Sequence, residues 1–145
     1  MSPDLARAQA ALVAGVTGTG PVPPGFDAQH LEVARKALLR KRAGEVRARW
    51  PYLAADLGTQ FLPMFVELAA HRATLGSLRD GWDLAELAEN AGHLKTLGRR
   101  ELVLRRLDLT YDGSSTPRPR HGWIRTARAG RTRALQIGRR TWVRS

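Results

Sequence analysis

Cysteine is absent from this sequence of 145 residues. Its absence excludes disulfides and thiolate metal sites, and it is typical of proteins that work in a reducing cytoplasm. Long apolar runs are also missing, and no stretch reaches the roughly 20 residues that a membrane-spanning helix needs. The first residues do not show the basic region followed by an apolar one that marks an export signal. We therefore expect a cytoplasmic protein without a membrane-spanning segment.

Acidic residues are missing from the last part of the chain. Nine of the 24 Lys and Arg residues lie in 114–145, all of them arginines, and this segment has no Asp or Glu. The rest of the chain is nearly neutral, so the segment supplies most of the formal net charge of +11. A basic surface of this kind attracts polyanions or an acidic protein partner.

No group of residues has the spacing of a catalytic or cofactor-binding motif. The four histidines, His30, His71, His93 and His121, are scattered, and no Ser-His-acid pattern occurs. The glycine-rich stretch 15–26 lacks the Gly-Lys-Ser/Thr ending of a phosphate-binding loop. We therefore predict a protein that is not an enzyme, with no cofactor and no metal site.

Composition divides the chain into three parts. Residues 1–26 contain a first helix, with Ser2 as its N-cap and Gly15 as its end, and then a linker rich in glycine and proline. Residues 27–111 form a helical domain, and residues 112–145 form an arginine-rich segment with the alternation of short β-strands. The sequence thus predicts a mainly α fold, a small helical bundle followed by a basic β-hairpin or small antiparallel sheet.

Capping residues and apolar spacing predict the first helices of the central part. Asp27 is the expected N-cap of a helix over 28–49. Trp50-Pro51 ends that helix, because a residue before proline disfavours the helical conformation, and the proline then starts a short helical turn. Thr59 is the expected cap of the next helix.

The signals for secondary structure are more mixed after residue 80. Asp80 is the expected cap of a helix over 81–91, with Trp82, Leu84, Leu87 and Ala88 on its inward side. The segment 96–111 can be a helix, but its end also alternates like a strand, and we favour a helix that gives way to an extended end. In the C-terminal segment, turns at Ala129-Gly130 and Gly138 separate two or three strands, which are expected to pack on the helices or on a partner.

Arg35 and Arg42 lie within the apolar arc of the helix over 28–49. We favour the interpretation that their stems cover apolar surface while their heads reach water. The alternative is that they hold a carboxylate or phosphate of a partner. Trp50 is a candidate for the core or for an interface. The candidates for binding a partner or polyanion are Arg35, Arg42, Trp50, Arg118, Arg120, Trp123, Arg125, Arg128, Arg131, Arg133, Arg139, Arg140 and Trp142.

A packing pattern across about residues 30–107 resembles a known family. Its landmarks are an aromatic residue before proline and a Leu-Gly pair, followed by a Gly-bearing helix start, as seen in Leu39, Arg42, Trp50-Pro51, Leu53, Leu57-Gly58, Phe61, Phe65, Leu68, Leu78, Gly81, Leu84 and Leu87. In these residues the chain resembles the N-terminal helical domain of the HvfC/BufC family, a domain described as DNA-binding. The stretch from Pro23 to Asp27 with Leu38 to Val46 is most similar to small actinobacterial proteins of this type.

The resemblance implies an accessory role rather than catalysis. Members of that family are partners of multinuclear non-haem iron-dependent oxidative enzymes, which modify ribosomally made peptides. A protein of this kind binds the enzyme and helps it recognise the precursor peptide. The resemblance therefore implies two partners, such an enzyme and an acidic peptide, and an extended peptide would add to an exposed strand edge of the C-terminal segment.

The alternative function is DNA or RNA binding through the basic C-terminal segment. Its nine arginines supply the charge, and Trp123 and Trp142 among them could stack on bases. No helix has the pattern of a recognition helix, and the helix over 28–49 includes Glu32 and Glu45 among its basic residues.

Overall fold

The computed structural model describes residues 3–145 and is mainly helical, which confirms the predicted fold class. The helices are α1 Pro3–Thr17, α2 Ala28–Arg49, α3 Pro51–Leu57, α4 Phe61–Ala69, α5 Ser77–Asn90 and α6 Thr96–Asp108. Two small antiparallel sheets follow, one of β1 Leu109–Thr110 and β2 Arg118–Pro119, and one of β3 Ile124–Ala129, β4 Thr132–Ile137 and β5 Arg140–Arg144. Within residues 3–145, no helix is both long enough and apolar enough to cross a bilayer.

The hydrophobic core is built around two tryptophans. Trp50 and Trp82 are almost fully buried and meet edge to face, with ring centroids 5.9 Å apart. The same core continues through α6 to the small side chains Ala129 and Ala134 of the C-terminal sheet. Because α6 contacts both α3 and the strands β3 and β4, the sheet packs on the helices, which is one of the two arrangements expected from the sequence.

Helix α1 continues past Gly15 to Thr17, so the predicted end of this helix is wrong. A Cβ atom on Gly15 would lie 3.1 Å from Cδ of Pro23 and 3.3 Å from Cδ2 of Leu31. The glycine therefore allows α1 to approach the linker and α2 closely instead of ending the helix. The predicted cap at Ser2 lies outside the described residues.

Both boundaries of α2 follow the sequence signals, whereas the start of α4 does not. The Asp27 carboxylate accepts a hydrogen bond from the N–H of Gln29 at 2.8 Å, which confirms the predicted cap. Pro51 begins α3, also as predicted. The cap predicted at Thr59 is wrong, because a 3₁₀ turn over Gly58–Gln60 leads directly into α4 without a side-chain cap.

Helix α5 begins at Ser77, so the cap predicted at Asp80 is wrong. Gly76 occupies the cap position with a φ of +91°, and Asp80 lies buried in the first turn of the helix. Leu87, predicted to face inward, is 41% exposed. The other residues predicted to face inward, Trp82, Leu84 and Ala88, are buried, and Leu87 lies at the margin of this buried arc.

Helix α6 gives way to the extended residues of β1, which confirms the preferred interpretation of segment 96–111. The predicted turns between the last three strands are also confirmed. The strand β2 was not predicted, because Arg118 and Pro119 lie in a stretch with the composition of a linker. It is held next to the end of α6, where the N–H of Arg120 donates to the carbonyl of Asp108 at 2.8 Å.

Candidate functional site

Two glycine turns fix the register of the three-stranded sheet. Gly130 and Gly138 are the first central residues of two-residue turns, with φ values of +53° and +58°. The arginine that follows each glycine does not have a positive φ, so both turns have the character of type II′ turns, which suit the twist of a hairpin. A fixed register determines which side chains share a face of the sheet.

The face turned away from α6, called the outer face below, consists of three rows of side chains that run across the strands. In the order β3, β4, β5 the rows are Ile124, Ile137 and Arg140; Thr126, Leu135 and Trp142; and Arg128, Arg133 and Arg144. Apolar side chains on it are open to solvent, with Ile124 63% and Trp142 50% exposed. The neighbouring Trp123, against the Gly138 turn, is 75% exposed.

A groove of about 940 Å³ runs across the outer face. One wall contains Leu135 and Trp142 of the second row, and the other contains the arginines of the third row. Between them lies the backbone of Ala127, Ala134 and Val143, whose side chains point to the opposite face. The groove is therefore apolar on one side and cationic on the other.

The third row places like charges opposite one another. Arg128 pairs with Arg133, and Arg133 pairs with Arg144, in the registers of the two hairpins. Like charges that lie directly opposite each other in a sheet are destabilising. Within residues 3–145, the strand arginine that forms an ion pair is Arg125, whose guanidinium lies 3.7 Å from the carboxylate of Asp108. Arg125 does not belong to the third row. The described chain provides no carboxylate that neutralises the third row.

The outward edge of β3 is occupied by side chains of the protein itself. Because Ala129 and Thr132 flank a two-residue turn, they form a hydrogen-bonded pair, and the alternate residues Thr126 and Arg128 direct their backbone groups away from β4. The guanidinium of Arg120 donates to the carbonyl of Thr126 at 3.1 Å, and that of Arg106 donates to the carbonyl of Arg128 at 2.7 Å. These bonds close the edge to an added strand.

The outward edge of β5 is open. By the same turn geometry, Ile137 and Arg140 form a hydrogen-bonded pair, so Thr141 and Val143 direct their N–H and C=O groups away from β4. Among the hydrogen bonds of residues 3–145, none engages these outward groups. An unpaired row of donors and acceptors is a template for another strand.

The structure divides the predicted binding residues into two groups. The C-terminal ones are brought together on or beside the three-stranded sheet. Arg131 and Arg139 occupy its turns and are exposed, and Arg118 is exposed in β2. Arg120 and Arg125 instead hold the sheet to the end of α6, since Arg125 donates to the carbonyl of Leu107 at 3.2 Å.

Of the three predicted residues from the helical part, two are buried and Arg35 is partly buried. Trp50 is 0% and Arg42 is 5% exposed, so neither is available to a partner. Arg42 pairs with Asp80 at 3.0 Å, so its head does not reach water, and both interpretations of this residue are wrong. Arg35 donates to the carbonyl of Gly15 at 2.6 Å and thereby ties α2 to α1.

Sequence reasoning missed several residues of the candidate site. Arg144 was counted in the basic segment but not placed with Trp142, although both share the outer face. Leu135 and the edge residues Thr141 and Val143 were not singled out. Alternation by two along β5 was the available signal, since it places residues 140, 142 and 144 on one face.

Comparison with known proteins gives one family and one relative. The family model described as "SCO6045-like, C-terminal domain" matches residues 6–90. A UPF0276 protein of Streptomyces avermitilis is 41% identical over 132 residues, which is 88% of this chain and 26% of that protein. The chain thus spans about a quarter of the length of the relative it matches. No solved structure matches the chain.

These findings overturn the resemblance drawn from the sequence. The central helices match the SCO6045-like model, and the relative is a UPF0276 protein, so the assignment to the HvfC/BufC family is wrong. An aromatic residue before proline and spaced leucines describe how a small helical bundle packs. Such a pattern is shared by different families, which is why it did not identify this one.

Proposed function

The chain belongs to the family of SCO6045-like C-terminal domains, and from this premise we propose that it is a non-catalytic accessory domain that binds an extended acidic peptide. The observation on which the proposal depends is the open edge of β5, with its outward backbone groups at Thr141 and Val143. The candidate site supplies backbone hydrogen bonds, guanidinium charge and apolar surface. These are means of holding a peptide rather than of transferring a proton or forming a covalent bond.

Strand addition explains why one edge is open and the other closed. A peptide that adds to a sheet obtains its affinity from backbone hydrogen bonds and its specificity from alternate side chains. Arg106 and Arg120 already occupy the edge of β3, so a peptide has access to β5 alone. The arginines around this edge favour a peptide with acidic side chains.

The accessory role has separate support. The relative contains this domain as about a quarter of a longer polypeptide, so the fold occurs beside another unit. A cytoplasmic location is part of the proposal, and the absence of cysteine supports it. That the partner is a multinuclear iron-dependent oxidative enzyme which modifies ribosomally made peptides stays a prediction.

The variant Thr141→Pro tests whether the peptide adds as a strand to the outward edge of β5. The N–H of Thr141 points away from β4, so proline removes an outward donor and places its ring where the added strand would lie, without removing a bond of the β4–β5 ladder. We expect the affinity for a short peptide of alternating Glu and Val to fall about tenfold, measured by fluorescence anisotropy with the full chain.

Two matched variants complete this experiment. Thr141→Val keeps the N–H and should bind as the unchanged protein does. Ile124→Pro makes the corresponding change at the outward edge of β3 and should also leave binding unchanged, because that edge is closed. Equal affinity of Thr141→Pro and Thr141→Val, with both folded by circular dichroism, would contradict strand addition at β5.

A second candidate function is the binding of single-stranded nucleic acid on the outer face. The observation that favours it is the exposed ring of Trp142 beside the unneutralised third row, together with the exposed ring of Trp123 against the Gly138 turn. Base stacking predicts that Trp142→Ala weakens binding of an oligothymidylate by about 1–3 kcal/mol. Raising the salt concentration should weaken it steeply. Thr141→Pro should have no effect on this ligand, which separates the two candidates.

A further inference from the structure

The strand β5 presents a fixed order of side chains beside the open edge. Arg140, Trp142 and Arg144 share the outer face at intervals of two residues, because successive side chains of a strand point to opposite faces. The order is therefore cation, aromatic ring, cation. A strand that adds to this edge places its own outer-face side chains directly opposite these three, with Cβ atoms about 5 Å away.

The two cations differ in their surroundings. Arg140 is the end of a row whose other members, Ile124 and Ile137, are apolar. Arg144 is the end of the row that contains Arg128 and Arg133. A negative charge opposite Arg144 would therefore face several guanidinium groups, and it would relieve the repulsion among them.

We propose that the peptide bound at β5 has the pattern acidic, any, large apolar, any, acidic, with the apolar side chain on Trp142 and the acidic ones opposite Arg140 and Arg144. This inference rests on the proposed function, and it adds to that function a rule for the peptide sequence. The apolar residue extends the wall of the groove that contains Leu135 and Trp142. The acidic residue opposite Arg144 lies at the end of the cationic wall and neutralises its charge.

The favourable interactions in this pattern are unequal. The acidic residue at Arg144 lies opposite the end of a row of three arginines, and hydrogen bonds to charged groups are stronger than those between neutral ones. The acidic residue at Arg140 interacts mainly with a single guanidinium. Replacement by Ala of the peptide's acidic residue opposite Arg144 should therefore weaken binding more than the same change opposite Arg140.

The test compares peptides of equal composition. The first peptide has Glu, Trp and Glu at alternate positions, with Thr between and around them. The second contains the same residues with its two glutamates three positions apart, so that every register places one of them on the wrong face. We expect the first peptide to bind the full chain about tenfold more tightly than the second at moderate salt.

A charge exchange identifies the contact. Arg144→Glu should weaken binding of the first peptide, and one of the two peptides in which a single glutamate is replaced by Arg should restore it. Arg40→Glu on the exposed side of α2 changes the net charge by the same amount and should leave the preference between peptides unchanged.

Each outcome has a distinct meaning. Equal binding of both peptides, still weakened by Thr141→Pro, would overturn the sequence rule and leave strand addition in place. Binding of neither peptide would overturn the proposed function itself. Binding of oligothymidylate alone, lost with Trp142→Ala, would assign the outer face to nucleic acid and overturn the rule as well.

Discussion

Replacement of Trp50 by alanine is expected to lower the free energy of unfolding by about 3–5 kcal/mol. The side chain is 0% exposed. Its indole N–H donates to the carbonyl of Leu78 at 3.3 Å, and its ring meets Trp82 edge to face. Removal of the indole creates a cavity and removes this hydrogen bond, and both effects destabilise the folded state.

The guanidinium of Arg105 adds to the expected loss. It lies 4.0 Å from the centre of the Trp50 ring and donates to the carbonyl of Arg49. Burial lowers the pKa of this group, and the nearby Glu101 carboxylate opposes that shift. Without the indole, the guanidinium would lose a cation–π contact in a poorly hydrated place.

Chemical unfolding followed by circular dichroism measures this effect. Trp123→Ala is the matched control, because the same side chain is removed where it is 75% exposed. The control should change the free energy of unfolding by less than about 0.5 kcal/mol. A similar loss in both variants would contradict the placement of Trp50 in the core.

Local signals in the sequence predicted those parts of the fold that depend on neighbouring residues. Asp27 caps α2 because its carboxylate bonds to the N–H of Gln29, two residues ahead. The glycines of the two hairpin turns supply a positive φ, which other residues rarely adopt. The helical character of α6 and its extended end also follow from patterns within a few residues.

Features that depend on distant residues could not be predicted in this way. Gly81 lies inside a helix, where glycine is unfavourable. A Cβ atom at this position would lie 2.2 Å from the Trp50 ring, so the glycine permits the packing of α5 against the indole. The closed edge of β3 likewise depends on Arg106, which follows from how α6 packs and not from the strand itself.

The candidate site also combines features that depend on neighbouring residues with features that depend on distant ones. The basic character and the two tryptophans among the arginines were evident from the sequence, and the alternation along β5 could have grouped Arg144 with Trp142. The cross-strand rows could not be assigned, because they depend on the register of both hairpins. The open and closed edges depend further on which backbone groups the helices cover.

Asp80 provides the second large expected effect, since Asp80→Ala should lower the free energy of unfolding by about 3–5 kcal/mol. Arg42 and Asp80 are 5% and 8% exposed, and their charged groups are 3.0 Å apart. Without the carboxylate, the guanidinium of Arg42 would stay buried without its countercharge. Its remaining hydrogen bond, to the carbonyl of Arg72 at 3.0 Å, does not neutralise it.

The double variant Arg42→Met, Asp80→Leu separates loss of the pair from loss of one partner. Replacement of a buried ion pair by apolar residues of similar volume is often neutral or stabilising. We therefore expect the double variant to unfold at a urea concentration close to that of the unchanged protein, although each single variant is destabilised. Additive losses, measured in a double-mutant cycle, would contradict the pairing of these residues. Unchanged peptide binding by the folded double variant is also expected, because the pair joins α2 to α5, whereas the proposed site lies on β5.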